Sequence, residues 1–244
     1  MRKQKENGRF NGFKLKCKGW VTRLENAVFP DGIRCIACNS ELKTGEGNFC
    51  ESCREQLPYR AGEYCPVCGE QLDRGICLLC KEEKFYFDRS IAPFHYTGLI
   101  RHLILRYKNG EGWLSRYFGE MLSDYLTLMG CEYDFITYVP ADKKGRIKKG
   151  FDHGKEIAKR LAESLHRECV ATLERVTPSG QKRYDRPGRK AAITGAFLIK
   201  ETDLTDKKII LVDDVMTTGF TASECSRVLK EHGASSVTVL TVAR

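Results

Sequence analysis

Apolar residues recur with two different periods along the last two thirds of the chain. Segment 91–108 begins as a strand or turn and continues as a helix carrying Leu99, Ile100, Leu103, Ile104 and Tyr107 on one side. Segment 113–129 repeats the helical period. Phe135–Val139 is a short continuous apolar run, the signature of a buried strand. A helix is predicted from about Gly154 to His166, with Ile157, Ala158, Leu161 and Leu165 on one side. Ile209–Val212 is a second buried strand, Ala222–His232 a helix stopped by Gly233, and Ser236–Ala243 a third strand. Strands alternating with helices predict an α/β fold with a doubly wound parallel sheet. Ligands in such sheets sit beyond the carboxyl ends of the strands, where the loop after Val212 falls.

The first third has no such period. It is organised by cysteine instead. Of twelve cysteines, eight form four Cys-x-x-Cys pairs: Cys35/Cys38, Cys50/Cys53, Cys65/Cys68 and Cys77/Cys80. Each pair lets two thiolates grip one tetrahedral ion through a tight turn, and two pairs complete a four-sulfur zinc site. Gly69, directly after the third pair, suits a knuckle in which positive φ turns backbone N–H groups toward sulfur. A sequential partition gives Cys35, Cys38, Cys50, Cys53 to one zinc and Cys65, Cys68, Cys77, Cys80 to another; a cross-brace of alternate pairs uses the same residues. Four sulfurs leave no open position, so these are structural ions. The segment is too short for an ordinary core, and metal supplies much of its folding energy. Cys17, Cys131, Cys169 and Cys225 read as small buried or half-exposed residues.

Charge adds a tail. The formal net charge is +9, and residues 1–20 contribute seven Lys/Arg against Glu6. This is a solvated tail or a phosphate-seeking arm. It lacks the apolar stretch of a secretory signal, and no apolar run is long enough to span a membrane. A cytoplasmic protein with reduced thiols and no membrane insertion is expected. Three regions follow: a basic tail with a short helix (1–30), a double zinc ribbon (31–84) and an α/β domain (85–244).

The chemistry concentrates in KKIILVDDVMTTGFTASE. Asp213 and Asp214 end an apolar strand, and Thr217, Thr218, Gly219 and Thr221 open the next helix. Free N–H groups at a helix start bind phosphate, hydroxyls add donors, and glycine allows close approach. Carboxylates repel phosphate but accept hydrogen bonds from vicinal hydroxyls. A ribose 5-phosphate satisfies both halves.

ILVDDVMTTGFT resembles the phosphoribosyl pyrophosphate loop of the type I phosphoribosyltransferases. Behind four Cys-x-x-Cys pairs it resembles, more narrowly, the ComF/ComFC competence family of bacterial DNA uptake. YVPADKKGRIKKGFDHGKEIAKRLA is similar to a second signature of that family, although Lys149, Asp152 and His153 replace its arginine, asparagine and glutamine. ERVTPSGQKRYDRPGRKAAITGAF is similar to a third, with Arg175, Thr177, Gln181, Arg189 and the Gly195–Phe197 turn; Ala192 stands where an asparagine is usual. The resemblance implies a type I phosphoribosyltransferase-like parallel sheet behind a double zinc ribbon. It further implies phosphoribosyl pyrophosphate bound with Mg²⁺, single-stranded DNA as a partner, and contacts to other DNA-uptake proteins.

Two basic stretches bear on that partner. Loop 140–150 carries Lys143, Lys144, Arg146, Lys148 and Lys149; segment 175–190 carries Arg175, Arg189 and four further cations, with Pro and Gly suggesting a mobile hood. Either set neutralises a diphosphate, tracks a single strand with Tyr184 as a stacking residue, or is a solvated face. No residue is an evident catalytic base. His153 is the one candidate, but a lone loop histidine is more commonly a surface residue. Two other functions use the same residues: a nucleotide-salvage phosphoribosyltransferase acting on a free nucleobase, and a zinc-ribbon adaptor whose second domain senses a nucleotide.

Overall fold

The computed structural model describes residues 33–141, 151–176 and 193–244. The chain divides into two compact units, residues 1–56 and 57–244. In the first, the Asn39 N–H donates to the Cys35 carbonyl and the Cys35 N–H to the Ser40 carbonyl, both at 2.8 Å. Asn39 sits at φ 63°, a left-handed conformation that asparagine tolerates. Helix α1 (Glu51–Glu55) starts directly after Cys50 and buries Cys53. Ile36 and Phe49 are the buried apolar companions of these cysteines.

The second unit opens on a copy of that knuckle. The Gly69 N–H donates to the Cys65 carbonyl at 2.9 Å, and the Cys65 N–H to the Glu70 carbonyl at 2.8 Å. Gly69 takes the left-handed conformation, φ 71°, as its sequence position predicts. Helix α2 (Leu78–Glu82) follows Cys77. The α/β part then runs β1 (Arg89–Ile91), α3 (Gly98–Lys108), α4 (Leu114–Leu128), β2 (Phe135–Tyr138), α5 (His153–Ser164), β3 (Leu173–Arg175), β4 (Phe197–Ile199), β5 (Lys208–Val215), α6 (Phe220–Glu231) and β6 (Ser236–Ala243).

Strands β1, β6, β5 and β2 lie side by side in that order, all parallel. The predicted parallel sheet is thus present, with β5 and β6 central and Ile210, Leu211, Val212, Val237, Val239 and Leu240 fully buried. Helices α4 and α5 pack on each other across Gly119, where a Cβ would meet the Arg160 Cβ at 2.5 Å. Helix α6 packs against β4, β5 and β6. Three features differ from expectation. Strands β3 and β4 form a separate antiparallel pair that the sequence pattern does not announce. Leu165 is the half-exposed C-cap of α5 rather than part of its buried side. Strand β5 runs three residues past Val212, so Asp213 and Asp214 belong to the strand.

The second ribbon shares this domain's core. Cys65, Cys68, Leu79 and Phe87 belong to one buried cluster with Leu211, Met216, Cys225, Val237 and Val239. Gly69 explains how the ribbon comes so close: a Cβ there would lie 2.9 Å from the Ser90 carbonyl oxygen of β1.

Candidate ligand site and metal centres

The eight paired cysteines form two groups, Cys35, Cys38, Cys50, Cys53 and Cys65, Cys68, Cys77, Cys80, each with its sulfurs within 4.8 Å of one another. The partition is sequential, which settles the choice that spacing leaves open. Cys38–Cys50 and Cys65–Cys80 sulfurs are 3.7 Å apart, and Cys68–Cys77 sulfurs 3.4 Å. A tetrahedron with Zn–S bonds of ~2.3 Å has edges of about 3.8 Å, so both sets fit a four-thiolate zinc. Their acidity is divided. Hydrogen bonds from the Ser40 side chain and backbone bring the Cys38 thiol down to about 6. Burial instead pushes the Cys68 thiol up. Four thiols this close do not all ionise without a cation among them. Cys225 lies buried in α6 among the core residues, and Cys131 and Cys169 are half-buried, all as packing residues.

The second site forms where β5 ends. Asp213 pairs in register with Thr241 of β6. Gly219 ends the following loop at φ 79°, and a Cβ on it would press the Phe85 ring at 3.1 Å. No side chain caps α6, so the helix start faces the Thr217–Gly219 turn as an end that can hold an anion. Thr217 is exposed, and Thr218 and Thr221 are half-buried. Asp214 is paired with Lys108 from the end of α3, Oδ1 to Nζ 2.9 Å, the two side chains 13% and 29% exposed. Among the described residues, Asp213 has no such cation in contact. Burial, with the Asp214 charge second, pushes its carboxyl up to about 8, against the Asp214 N–H that it accepts at 2.8 Å.

The basic loop enters at the same place. Its five cations, Lys143, Lys144, Arg146, Lys148 and Lys149, lie outside the described residues, as does Arg189. Its two ends are fixed. Asp152 accepts from the Ala141 N–H at 2.9 Å and from the Lys155 N–H at 3.3 Å, capping α5 and closing the loop's base. The Val139 N–H donates to the Val212 carbonyl. At Gly154, in the first turn of α5, a Cβ would stand 3.1 Å from the Val139 oxygen and 3.9 Å from Asp213 Oδ1. Thus the starts of two helices and the carboxyl end of β5 converge.

Arg175 ends β3, opposite Phe197 in β4, with its guanidinium 5.5 Å from that ring. His153 corrects an expectation. It is 8% exposed, not a surface residue, because Tyr107 and Phe151 enclose it with ring centroids at 5.0 and 4.6 Å. Lys108 is the participant that sequence reasoning misses. Its one available signal is its place as the last residue of an amphipathic helix.

Two family models match the chain: a double zinc ribbon domain over residues 24–84, and a phosphoribosyl transferase domain over residues 148–244. The chain is 29% identical to competence protein ComFC of Streptococcus pneumoniae over 168 residues, 68% of this chain and 72% of that one. It is 24% identical to competence protein F of Haemophilus influenzae over 183 residues, 69% and 78% of the two chains. It is 30% identical to the DNA utilization protein YhgH of Escherichia coli over 115 residues, 46% and 49%. Among solved structures, it is similar to a B. subtilis glutamine phosphoribosylpyrophosphate amidotransferase (TM-score 0.38, 20% identity, 52% of this chain and 26% of that one). A purine phosphoribosyltransferase from Pyrococcus horikoshii matches with TM-score 0.34 and 20% identity, over 53% and 71%. The chain thus joins a double zinc ribbon to a phosphoribosyl transferase domain and is a homologue of the competence proteins ComFC and F.

Proposed function

We propose that the protein binds phosphoribosyl pyrophosphate with Mg²⁺ at the carboxyl end of β5, and single-stranded DNA beside it, in the handling of DNA taken up by the cell. The observation that carries this reading is the convergence of Asp213 and Asp214, the uncapped start of α6, and both ends of the basic loop. The carboxylates of Asp213 and Asp214 accept the ribose hydroxyls. The hydroxyls of Thr217, Thr218 and Thr221 and the backbone at Gly219 donate to the 5-phosphate. Lys108 pairs with Asp214 and orients it. The diphosphate then faces Lys143, Lys144, Arg146, Lys148 and Lys149, with Arg175 and Arg189 as second candidates. The carboxylate oxygens of Asp213 and Asp214 suit a hard cation. Asp213 or Asp214 would help to hold a Mg²⁺ ion arriving with the ligand, and such an ion would supply charge neutralisation for a departing diphosphate.

The names of the relatives, competence proteins and a DNA utilization protein, support the DNA half of this reading. The basic loop supports it too, as a surface that meets phosphates irrespective of sequence. The discriminating experiment is a binding screen of the zinc-loaded protein against phosphoribosyl pyrophosphate with Mg²⁺, free nucleobases and single-stranded DNA. Binding of the first and third without nucleobase turnover is expected. Release of diphosphate with a free nucleobase would replace this reading by nucleotide salvage.

A further inference from the structure

Two hollows lie along the seam where the second ribbon packs on the sheet, on either side of Arg60 and Tyr64. One, of about 400 Å³, is lined by Arg60, Tyr64, His95, Tyr96 and Arg244 and reaches Met216 and Thr217. The other, of about 450 Å³, is lined by Arg60, Tyr64, Arg89 and Tyr125. Both alternate guanidinium groups with aromatic rings. Arg60 itself stacks on the Tyr64 ring, 4.1 Å to the centroid, and the Tyr64 hydroxyl meets His95 Nε2 at 3.1 Å.

Arg244 is the group that asks for a ligand. Its side chain is 5% exposed. One amino group bonds Glu70 Oε2 at 3.0 Å, while Nε and Nη1 are buried with no acceptor among the described residues. A buried guanidinium with two idle N–H groups is costly unless an acceptor fills the space before it. The acids nearby are already engaged: Glu70 by Arg244, and Asp88 by Lys230 and the Val237 N–H. Arg60 is held against the Gly69 carbonyl, and burial lowers its affinity for its proton, with Arg244 adding to the effect. Two cations drawn together in a half-dry hollow favour an anion between them.

We propose that the hollow between the second ribbon and the carboxyl ends of β1 and β6 seats a nucleotide unit, its phosphate taken by Arg244 and Arg60 and its base laid against Tyr64 or Tyr96. This deepens the DNA half of the proposed function, and the hollow shares Met216 and Thr217 with the sugar-phosphate loop. It makes the second ribbon a wall of the ligand groove as well as a brace. A single strand seated there leads toward the phosphoribosyl pyrophosphate loop. Phosphate binding combined with stacking is the mode that holds single strands without sequence preference.

The test titrates the zinc-loaded protein with a single-stranded oligonucleotide, a 5′-mononucleotide and inorganic phosphate, each at several salt concentrations. In Arg60→Gln/Arg244→Gln the oligonucleotide should bind at least tenfold more weakly. Its log–log salt slope should shrink by about 0.7 for each phosphate that no longer meets an arginine. An equal loss for the mononucleotide identifies a free nucleotide as the occupant. A loss confined to the oligonucleotide identifies a strand. Unchanged affinities and slopes for both ligands overturn the proposal. Because Arg244 also packs on Gly69, the wild-type protein supplies an independent readout. The ¹⁵Nε resonance of Arg244 should move on nucleotide addition, and a resonance that stays fixed at saturation overturns the proposal as well. Asp213→Asn/Asp214→Asn reads the phosphoribosyl pyrophosphate half separately, so failure of one does not imply failure of the other.

Discussion

The two four-cysteine clusters share one knuckle geometry and sit in different surroundings. In the first, Cys38 is exposed, and Ile36 and Phe49 supply the buried apolar side chains. In the second, Cys68 is fully buried in a cluster that reaches Met216 and Cys225. The position after the knuckle shows the same contrast. Asn39 holds the left-handed turn in the first, whereas Gly69 in the second lies against the Ser90 carbonyl. The metal chemistry is common to both, but what depends on it is not. The first cluster stabilises a small unit of its own, and the second stabilises the α/β domain that carries the ligand loop.

Metal removal should break that symmetry most. Cys68→Ser is expected to release one zinc and unfold or severely destabilise residues 57–244, since structural zinc supplies roughly 10 kcal/mol or more in small ribbons. Cys38→Ser should release one zinc and leave the main thermal transition near its wild-type position. Elemental analysis combined with calorimetry checks both, and equal transitions for the two variants would erase the distinction. A backbone change should sharpen it. Gly69→Ala adds a Cβ 2.9 Å from the Ser90 oxygen at φ 71°, so a loss of roughly 2–4 kcal/mol is expected from strain and displacement together. Asn39→Ala, at φ 63°, should cost only about 1 kcal/mol, measured by denaturant unfolding under the same conditions.

A third prediction concerns pH. With its carboxyl pushed up to about 8, Asp213 is largely protonated at pH 7 in the free protein. Ionisation strengthens a ribose contact and favours Mg²⁺. Affinity for Mg²⁺-phosphoribosyl pyrophosphate should therefore climb between pH 7 and about 8 and flatten above it, by at most tenfold per unit. Asp213→Asn should remove the climb. Stability has the opposite sign: a carboxyl raised from 3.8 in the unfolded chain carries no penalty below that value, and a full one above about 8. Relative to wild type, Asp213→Asn should gain stability over that window. The smallest expected effect belongs to the first cluster: Cys38→Ser should leave the pH profile of ligand binding unchanged.

The local chemistry was legible wherever neighbours in sequence are neighbours in space. The Cys-x-x-Cys pairs, Gly69, and the Asp213–Thr221 stretch after a buried strand are such cases, although β5 runs on to Val215 and takes in both aspartates. Features made by distant segments were not legible. Lys108 meets Asp214 across more than a hundred residues, and Arg244 meets Glu70 across 174. Neither pairing leaves a periodic trace. His153 was read as a surface residue because a histidine in a polar stretch gives no sign that Tyr107 will cover it. Strands β3 and β4 are three residues each, too short for alternation to register. The ribbon's place in the core is likewise invisible, since cysteine spacing reports the metal and says nothing of what packs around it.

The central claim, that VDDVMTTGFT holds a ribose 5-phosphate, is tested most directly by calorimetry of Mg²⁺-phosphoribosyl pyrophosphate on wild type and on Asp213→Asn/Asp214→Asn, each shown to be folded and zinc-loaded. The account predicts measurable binding to wild type. In the variant it predicts a loss of about 1–3 kcal/mol for each charged hydrogen bond removed. Wild-type affinity in the double variant would contradict it.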